Sequence, residues 1–342
     1  MLKFTAIGDF HYKKGTFPTS LEDLDKILEN SSQEKVDFVL HLGDLSNDYK
    51  GSPELLSALL DNKYNLPVYG IMGNHEIEPG NHPDTVIPRL CNREVNFAEP
   101  IYNENKAAHW YKDIDNFRLI GLDTNFVYSS RRDEWERKMS FWKPEDTILD
   151  LSLSPLQLEW LDKTIGDAAN LGKKVVVASH ASLIDEPWIF ESPDFKKAQA
   201  IFAKYPKTVL MAINGHIHDD NFEVRDSVAY FDVNATRFGY WFKKDGHHYL
   251  EEHTFPFTNY DQDGNKLDTI NRSYRSIAQG MHGWFYKDPL WAIVTLTEDG
   301  RISIKGRKTE WEYGIAPVPD GSCGPDTERF KPEIPDRDVQ VW

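Results

Sequence analysis

The chain has 342 residues, of which 40% are hydrophobic and 13% aromatic, enough for at least one sizeable buried core, and this excludes disorder over most of its length. Its 39 Lys and Arg residues and 55 Asp and Glu residues give a formal charge of -16, which disfavours nucleic acid, a long polyanion, as a partner. The two cysteines, Cys91 and Cys323, are too few for a disulfide framework and lack zinc-finger spacing.

The sequence contains no visible signal for export or membrane insertion. Its first residues, MLKFTAIGDFHY, lead directly into a strand pattern, without a basic segment or a cleavage site. No apolar run approaches the roughly 20 residues of a membrane span. We therefore expect a soluble, cytoplasmic protein without a membrane span, although a chain whose export signal had been trimmed would begin in the same way.

The first third of the chain alternates predicted strands and helices. Short apolar runs at residues 3–7, 36–42 and 68–72 are typical of strands that are buried on both faces. Between the first two, SLEDLDKILEN places its apolar side chains on one helical face behind a candidate N-cap, Ser20. Between the second and third, SPELLSALLDN begins with a Ser-Pro helix signal. The pattern predicts β-α-β-α-β.

The middle of the chain continues this alternation. Helices predicted at residues 154–172 and 194–206 each precede an apolar run, at residues 175–179 and 208–213 respectively. Beyond these runs the alternation stops, and strands are predicted instead.

Residues 227–233 and the hairpin of WAIVTLT and RISIKG predict strands that close a second sheet. We expect one domain over residues 1–310. Residues 311–342, rich in Pro, Gly and charge, are expected to form a loop-rich tail that packs on this domain.

A polar cluster follows each of the five apolar runs of the α/β region. In open α/β sheets the loops at the carboxyl ends of the strands converge on one crevice. Asp, His and Asn supply the nitrogen and oxygen ligands that suit Mn, Zn or Fe. The candidate ligands are Asp9, His11, Asp44, Asn74, His180, His216 and His218.

The spacing within the clusters suggests how ions would be held. Asp9 and His11 are two residues apart, as are His216 and His218, so in an extended chain both members of a pair project to the same side. The Asp44 carboxylate could bridge two metals with its two oxygens. Each motif alone is weak, since a Gly-Asp pair is more often a turn and a single histidine is more often structural. Five strand ends with such ligands are hard to explain by chance.

In these motifs the chain resembles the calcineurin-like metallophosphoesterases. The residues are GDFH at 8–11, GD at 43–44, GNHE at 73–76, SH at 179–180 and GHIH at 215–218. The resemblance implies an α/β fold, a four-layer α-β-β-α sandwich with an irregular C-terminal extension. It also implies two divalent or trivalent metal ions, one held by Asp9, His11, Asp44 and His218 and the other by Asp44, Asn74, His180 and His216.

The same resemblance implies roles beyond metal binding. His75 would contact the phosphate, beside Asn74, and protonate the leaving oxygen, and Glu76 would orient His75. One departure is Asn47, where many members have Asp; it can still form hydrogen bonds near the ligands. The strand end at Asp123 and Thr124 is also similar to the family, and a plain turn explains it equally well.

The expected reaction is hydrolysis of a small phosphate ester by a metal-bridging hydroxide, with Asp44 holding both ions and His75 as general acid. GNHE and GHIH most resemble the branch of cyclic nucleotide and glycerophosphodiester phosphodiesterases, which favours a phosphodiester. A phosphomonoesterase or a nucleotide pyrophosphatase uses the same site. A binding or scaffold protein is opposed by the intact ligand set, and a nuclease by the -16 charge.

Further candidates for contact with the substrate lie in loops, and packing or surface exposure explains each of them better than ligand binding does. They are Tyr12, Arg131, Arg132, Trp142, Arg237 and Trp241. His82 and His109 could also approach the site, although nothing in their spacing requires it. His247, His248 and His253 lie in a polar segment and are expected to be solvated.

Overall fold

The computed structural model describes residues 1–12, 19–46, 53–77, 95–98, 108–129, 134–137, 151–184, 193–242, 254–260, 266–273, 281–312 and 331–342. Several predictions concern residues outside these ranges, namely Asn47, His82, Cys91, Arg131, Arg132, Trp142, His247, His248, His253 and Cys323, and the side chain of Trp241 also lies outside the description.

Helices are few and strands are many in the described part of the chain. The first half contains β1 (Leu2–Ile7), α1 (Leu21–Gln33), β2 (Phe38–His41), α2 (Pro53–Leu60), β3 (Val68–Gly70), β4 (Asn96–Phe97), β5 (Trp110–Ile114), β6 (Phe117–Gly121), β7 (Phe126–Ser129), β8 (Glu134–Arg137) and α3 (Pro155–Asn170). The second half contains β9 (Lys174–Ser179), α4 (Pro193–Ala203), β10 (Val209–Asn214), β11 (Asn221–Arg225), β12 (Val228–Asp232), β13 (Phe238–Phe242), β14 (Thr254–Tyr260), β15 (Lys266–Ser273), β16 (Met281–Phe285), β17 (Ala292–Leu296), β18 (Arg301–Lys305), β19 (Arg307–Lys308), β20 (Glu333–Ile334) and β21 (Arg337–Gln340).

Two large sheets carry the fold. One has six strands in the order β21-β18-β17-β1-β2-β3, and the other has seven in the order β11-β12-β10-β9-β6-β5-β4. The pairs β1 to β2 and β2 to β3 are parallel, as are β6 to β9, β9 to β10 and β10 to β12. The five predicted α/β strands are therefore divided between two sheets, three in the first and two in the second.

Three apolar clusters define four layers. Phe4, Leu40 and Val294 of the first sheet pack with Val176 and Met211 of the second in a core between the sheets. Helices α1 and α2 cover the outer face of the first sheet, and α3 and α4 cover that of the second. The predicted α-β-β-α sandwich is confirmed. Among the described helices, none is both long and apolar enough to cross a membrane.

Local capping signals account for where two of the helices begin. The Ser20 hydroxyl accepts a hydrogen bond from the Asp23 amide at 3.2 Å, and the Asp23 carboxylate accepts one from the Ser20 amide at 3.1 Å. At α3 the Ser154 hydroxyl accepts from the Gln157 amide at 3.3 Å. Beyond the end of α3, Gly172 takes a left-handed φ of 70°, which suits glycine. Both starts and this stop were predicted from the sequence.

The predicted hairpin near the C-terminus forms, but its position in the fold differs from the prediction. Strands β17 and β18 pair with each other, and β17 then pairs antiparallel with β1, so they extend the first sheet and do not close the second. The reason is that a turn sequence specifies the pairing within a hairpin, whereas the sheet edge that receives it depends on distant strands. Of the three predicted strands, only β12 joins the second sheet.

The predicted tail contains two short strands that the sequence interpretation did not include. β20 pairs with β19, and β21 pairs with β18 at the edge of the first sheet. Ile334 and Val341 are 2% and 6% exposed, so this part of the chain contributes to the core between the sheets. The division of the chain at residue 310 stays a prediction.

Trp110 links the two sheets and offers a test of this packing. Its side chain is fully buried in β5, its indole N–H donates to the carbonyl of Gly70 in β3 at 3.2 Å, and a Cβ at Gly121 would lie 2.5 Å from the ring. We expect Trp110→Ala to lower the free energy of unfolding by about 3–5 kcal/mol, measured by urea denaturation. The control is Phe97→Ala in the adjacent β4, where the side chain is 42% exposed and the expected change is within about 0.5 kcal/mol. Equal losses in the two variants would contradict this role for Trp110.

Candidate metal centre

The predicted ligands meet between the carboxyl ends of β1, β2 and β3 in one sheet and of β9 and β10 in the other. His11 and His218 are 207 residues apart in sequence, yet their Nε2 atoms are 2.9 Å apart. Seven predicted ligands are between 0% and 5% exposed: Asp9, His11, Asp44, Asn74, His180, His216 and His218. The fold thus gathers the whole predicted set into one buried place.

The first group of donor atoms consists of Asp9, His11 and His218. Asp9 Oδ1 lies 3.4 Å from His218 Nε2 and 3.9 Å from His11 Nε2. One ligand atom from each of the three residues lies within 4.8 Å of the others, a spacing that could accommodate a metal ion.

The second group consists of Asp44, Asn74, His180 and His216, and it is centred on the ring of His180. His180 Nε2 is 2.9 Å from Asn74 Oδ1, 3.1 Å from His216 Nδ1 and 3.3 Å from Asp44 Oδ2. His180 Nδ1 contacts the Leu42 carbonyl oxygen at 2.7 Å. That contact fixes the ring orientation and leaves Nε2 directed toward the group.

Asp44 lies between the two groups, and only one of its oxygens faces both. Oδ2 is 3.8 Å from His11 Nε2 and 3.3 Å from His180 Nε2, whereas Oδ1 accepts a hydrogen bond from the His75 amide at 2.8 Å. Oδ2 is thus the oxygen with measured contacts to both groups, while Oδ1 accepts from the His75 amide; that Asp44 bridges two ions with both oxygens stays a prediction.

The chemistry of these donors fits bound cations. Asp9 Oδ1 and Asp44 Oδ2 are buried and have no hydrogen-bond partner among the described residues. Burying a carboxylate oxygen without a partner is costly, and a metal ion would supply the missing interaction. Burial, followed by the neighbouring His218, lowers the pKa of His11 to about 3; burial and His180 do the same to the pKa of His216. Burial thus favours the neutral form of these two rings.

The remaining buried charges in the centre depend on one another. Burial opposes ionisation of Asp9, but His218 and His180 together lower its pKa. Burial also opposes the charged form of His180, but the Asp44 carboxylate outweighs it and the pKa rises to about 9. In both cases the opposite charges outweigh the effect of burial.

The backbone of the site is left-handed at both Asp-x-His and His-x-His. The φ angles are 36° at Asp9, 50° at His11, 73° at His216 and 52° at His218. The prediction that each pair projects from an extended chain is therefore wrong. His216 and His218 belong to different groups, as the family resemblance implied. Such φ values cost energy for residues other than glycine, and they persist where surrounding contacts impose them, typically at functional sites.

Two glycines make this close packing possible. A Cβ at Gly73 would lie 2.2 Å from the Asp44 amide nitrogen, and a Cβ at Gly215 would lie 2.7 Å from Asp9 Oδ2. Both distances are far below van der Waals contact, so no larger residue fits at either position without displacing Asp44 or Asp9.

His75 differs from the predicted ligands in its exposure. Its side chain is 26% exposed, with Nε2 at 3.7 Å from Asp44 Oδ2 and the ring packed edge-on against His11 at 4.9 Å between centroids. It therefore lies beside both groups and remains accessible from outside.

Glu76 does not take the position that the sequence interpretation expected. Both carboxylate oxygens accept hydrogen bonds from backbone amides of residues 44–46 and Gly73, and no hydrogen bond to His75 is formed within the described part of the chain. Burial, then the Asp44 charge, raises the pKa of Glu76 to about 7. The idea that it orients His75 is replaced by contact with the Asp44 loop.

Several buried polar residues support the site without entering the ligand set, and sequence reasoning assigned them no such role. Asn214 Nδ2 donates to Ser179 Oγ and, at 3.0 Å, to the Ala181 carbonyl, so it contacts the residues on both sides of His180. Asn214 opens the NGHIH motif directly after an apolar run, and this position is the sequence feature that could have indicated its supporting role. Asn125 Nδ2 donates to the Met72 carbonyl at 3.2 Å, close to Asn74 in the chain.

Asp123 and Thr124 lie behind the site. Asp123 Oδ1 accepts from the Asn125 amide at 3.1 Å, as in a turn, and Thr124 Oγ1 accepts from the Ala181 amide at 3.3 Å. Both side chains are fully buried. These contacts favour the interpretation of this strand end as a supporting turn.

Other candidates form contacts that favour packing over substrate binding. Arg237 pairs with Asp23 at 3.2 Å and with Glu312 at 2.6 Å. Tyr12 is 5% exposed and its hydroxyl donates to Glu54 at 3.4 Å. His109 is fully buried, with its ring edge-on to Trp160.

Comparison with known proteins identifies the family. The family model of the calcineurin-like phosphoesterases matches residues 2–220. The chain belongs to this family. The resemblance deduced from the motifs is thereby confirmed, and the family together with the convergent donor groups supports a dinuclear metal site in this calcineurin-like chain.

Two curated relatives of the calcineurin-like chain are phosphodiesterases by name. The human cyclic GMP-AMP phosphodiesterase SMPDL3A is 24% identical over 234 residues, covering 61% of this chain and 48% of the relative. Sphingomyelinase phosphodiesterase C of Dictyostelium discoideum is 26% identical over 236 residues, covering 60% and 48%. The chain therefore spans about half the length of these relatives.

A solved structure supports the fold. A dimetal phosphatase from Danio rerio superposes with a TM-score of 0.58 at 16% identity, covering 90% of this chain and 96% of the phosphatase. At this identity the likeness shows the shared calcineurin-like fold alone.

Proposed function

We propose that this protein is a metal-dependent phosphoric ester hydrolase with two metal ions, acting on a small phosphodiester. The observation that carries the proposal is the position of Asp44 Oδ2. This buried oxygen has no hydrogen-bond partner among the described residues and lies 3.3–3.8 Å from histidine nitrogens of both donor groups. The partly exposed His75 lies beside it.

The two donor groups assign the ligands. Asp9, His11, His218 and Asp44 would hold one ion, and Asp44, Asn74, His180 and His216 the other. A nitrogen and oxygen set without sulfur suits Mn, Zn or Fe. When bound, such ions activate water and neutralise charge that develops on the phosphoryl group.

The protein's own groups supply the remaining steps. The His75 imidazole is placed to contact the phosphate, with Asn74, and to give a proton to the leaving oxygen. Its ring is held edge-on by His11, and its backbone amide is anchored on Asp44 Oδ1 at 2.8 Å. The residue is thus positioned through its backbone while its side chain stays accessible, as a general acid requires.

A phosphodiester is favoured over other substrates because both named relatives are phosphodiesterases. A phosphomonoester or a nucleotide pyrophosphate would be hydrolysed by the same donor set. A nucleic acid polymer is disfavoured by the charge of -16.

The test is a substrate panel on purified protein loaded with manganese, zinc or iron. We expect metal-dependent hydrolysis with the highest kcat/KM on a cyclic dinucleotide, a cyclic mononucleotide or a glycerophosphodiester. Phosphomonoesters and nucleotide pyrophosphates should react more slowly, and a chelator should abolish turnover. Preference for a monoester would contradict the substrate class, and full metal loading without turnover on any ester would indicate a binding protein.

A further inference from the structure

Glu76 is a buried carboxylate with an unusual set of partners. It is 3% exposed, and its Oε2 accepts from the amides of Gly73 at 2.7 Å and Asp44 at 2.8 Å. Its Oε1 accepts from the amides of Leu45 at 2.7 Å and Ser46 at 3.4 Å. Four backbone N–H groups from two separate loops therefore converge on one side chain.

Backbone groups, and not basic side chains, stabilise this carboxylate. Among the described residues Glu76 forms no salt bridge with Lys or Arg, so the charge is met by backbone N–H dipoles. Converging amides of this kind form an anion-binding concavity. Here the anion is part of the protein itself, and it connects the loop of residues 43–46 to the loop that carries Asn74 and His75.

Asp44 is restrained by three hydrogen bonds, one of which is formed with Glu76. Its amide donates to Glu76, its carbonyl accepts from the His11 amide at 2.8 Å, and its Oδ1 accepts from the His75 amide at 2.8 Å. Gly43 and Asp44 have φ values of 92° and 49°, a left-handed backbone that needs such restraint. With these contacts made, Oδ2 is the one polar atom of Asp44 left to face the two donor groups.

We propose that Glu76 is a positioning residue that holds Asp44 so that Oδ2 serves both metal groups; this inference rests on the function proposed above. In this role Glu76 acts on metal affinity through the Asp44 loop, and among the described residues its carboxylate oxygens accept from backbone amides of residues 44–46 and Gly73.

The role requires a carboxylate of this length. A glutamine offers one oxygen, and its NH2 group would face N–H donors that have lost their acceptor. An aspartate keeps both oxygens but is one methylene shorter, so it cannot reach both loops at the same distances. The two variants therefore damage the same contacts to different degrees.

The experiment compares Glu76→Gln with Glu34→Gln in the full chain. Glu34 is a suitable control because it is partly buried and bound by Lys3 and Lys305, away from the site. Manganese affinity is measured by calorimetry on the folded proteins, metal content by elemental analysis, and kcat over a range of manganese concentrations.

We expect Glu76→Gln to weaken the binding of both ions about 10- to 100-fold, as loss of a group that orients a ligand does. Its kcat should return to near the wild-type value at saturating manganese, whereas Glu34→Gln should behave as wild type throughout. If Glu76→Gln does not fold, Glu76→Asp is measured in the same way, with a smaller loss of affinity expected.

Unchanged manganese affinity in the folded variant would overturn the inference, because a residue needed only for folding would lower stability alone. Normal metal content with a loss of kcat that manganese does not restore would also overturn the inference. That result would indicate that Glu76 acts on His75 and not on the metal ions. If the wild-type chain itself binds no manganese, the proposed function fails as well, so the two failures are distinguishable.

Discussion

Asp44→Asn is expected to remove both metal ions from the protein and to lower activity by more than about a hundredfold. Loss of a group that merely orients a ligand already costs about 10- to 100-fold, and Asp44 is proposed to be a ligand of both ions. The substitution is nearly isosteric. The amide oxygen can still accept the His75 N–H at the Oδ1 position, while the NH2 group replaces Oδ2, which faces both donor groups. Elemental analysis of the purified variant measures the metal content.

Asp115→Asn is the matched control for this variant. Asp115 has a φ of 48°, close to the 49° of Asp44, and it lies exposed in the turn between β5 and β6. Asparagine tolerates this conformation as aspartate does, so backbone strain is the same in both substitutions. Two ions retained in Asp44→Asn would reject the shared ligand, and loss of one ion alone would assign Asp44 to a single group.

His75→Gln is expected to reduce kcat about 10²- to 10⁴-fold on an alkyl phosphodiester while leaving both ions in place. The side chain is 26% exposed and its Nε2 is 3.7 Å from Asp44 Oδ2, so it can reach a substrate beside the metals. His11, Asp44 and His75 also have ligand atoms within 4.8 Å of one another. Metal content therefore decides whether His75 is an acid or a ligand.

The leaving group provides the control for the proton transfer. A nitrophenyl ester releases an anion that needs no proton, so His75→Gln should lose much less activity on it than on an alkyl ester. His180→Ala should behave differently, losing metal and losing activity on both esters, because His180 Nε2 lies within 3.3 Å of Asn74, His216 and Asp44. Equal losses on the two esters in His75→Gln would contradict general acid catalysis.

Much of the fold could be predicted because its signals are local. The Ser20 and Ser154 caps, the stop at Gly172 and the hairpin of β17 and β18 each depend on residues within a few positions of one another. The candidate ligands were identifiable for a related reason: each lies directly after an apolar run, and strand ends of an α/β fold converge.

The sequence by itself determined the alternation of strands and helices and the set of polar residues at the strand ends. Its motifs also indicated the family and, through that resemblance, the four layers, since periodicity, capping and motif order are all found in short windows of chain. Only the tertiary structure decided that β17 pairs with β1, that the Asp-x-His and His-x-His segments have a left-handed backbone, and that Glu76 accepts hydrogen bonds from the Asp44 loop. These features depend on contacts between residues far apart in the chain and on left-handed backbone that the surrounding loops impose. A short window of sequence does not contain the distant residues that form these contacts or impose the left-handed backbone. Such features are therefore seen only when the two sheets are packed together.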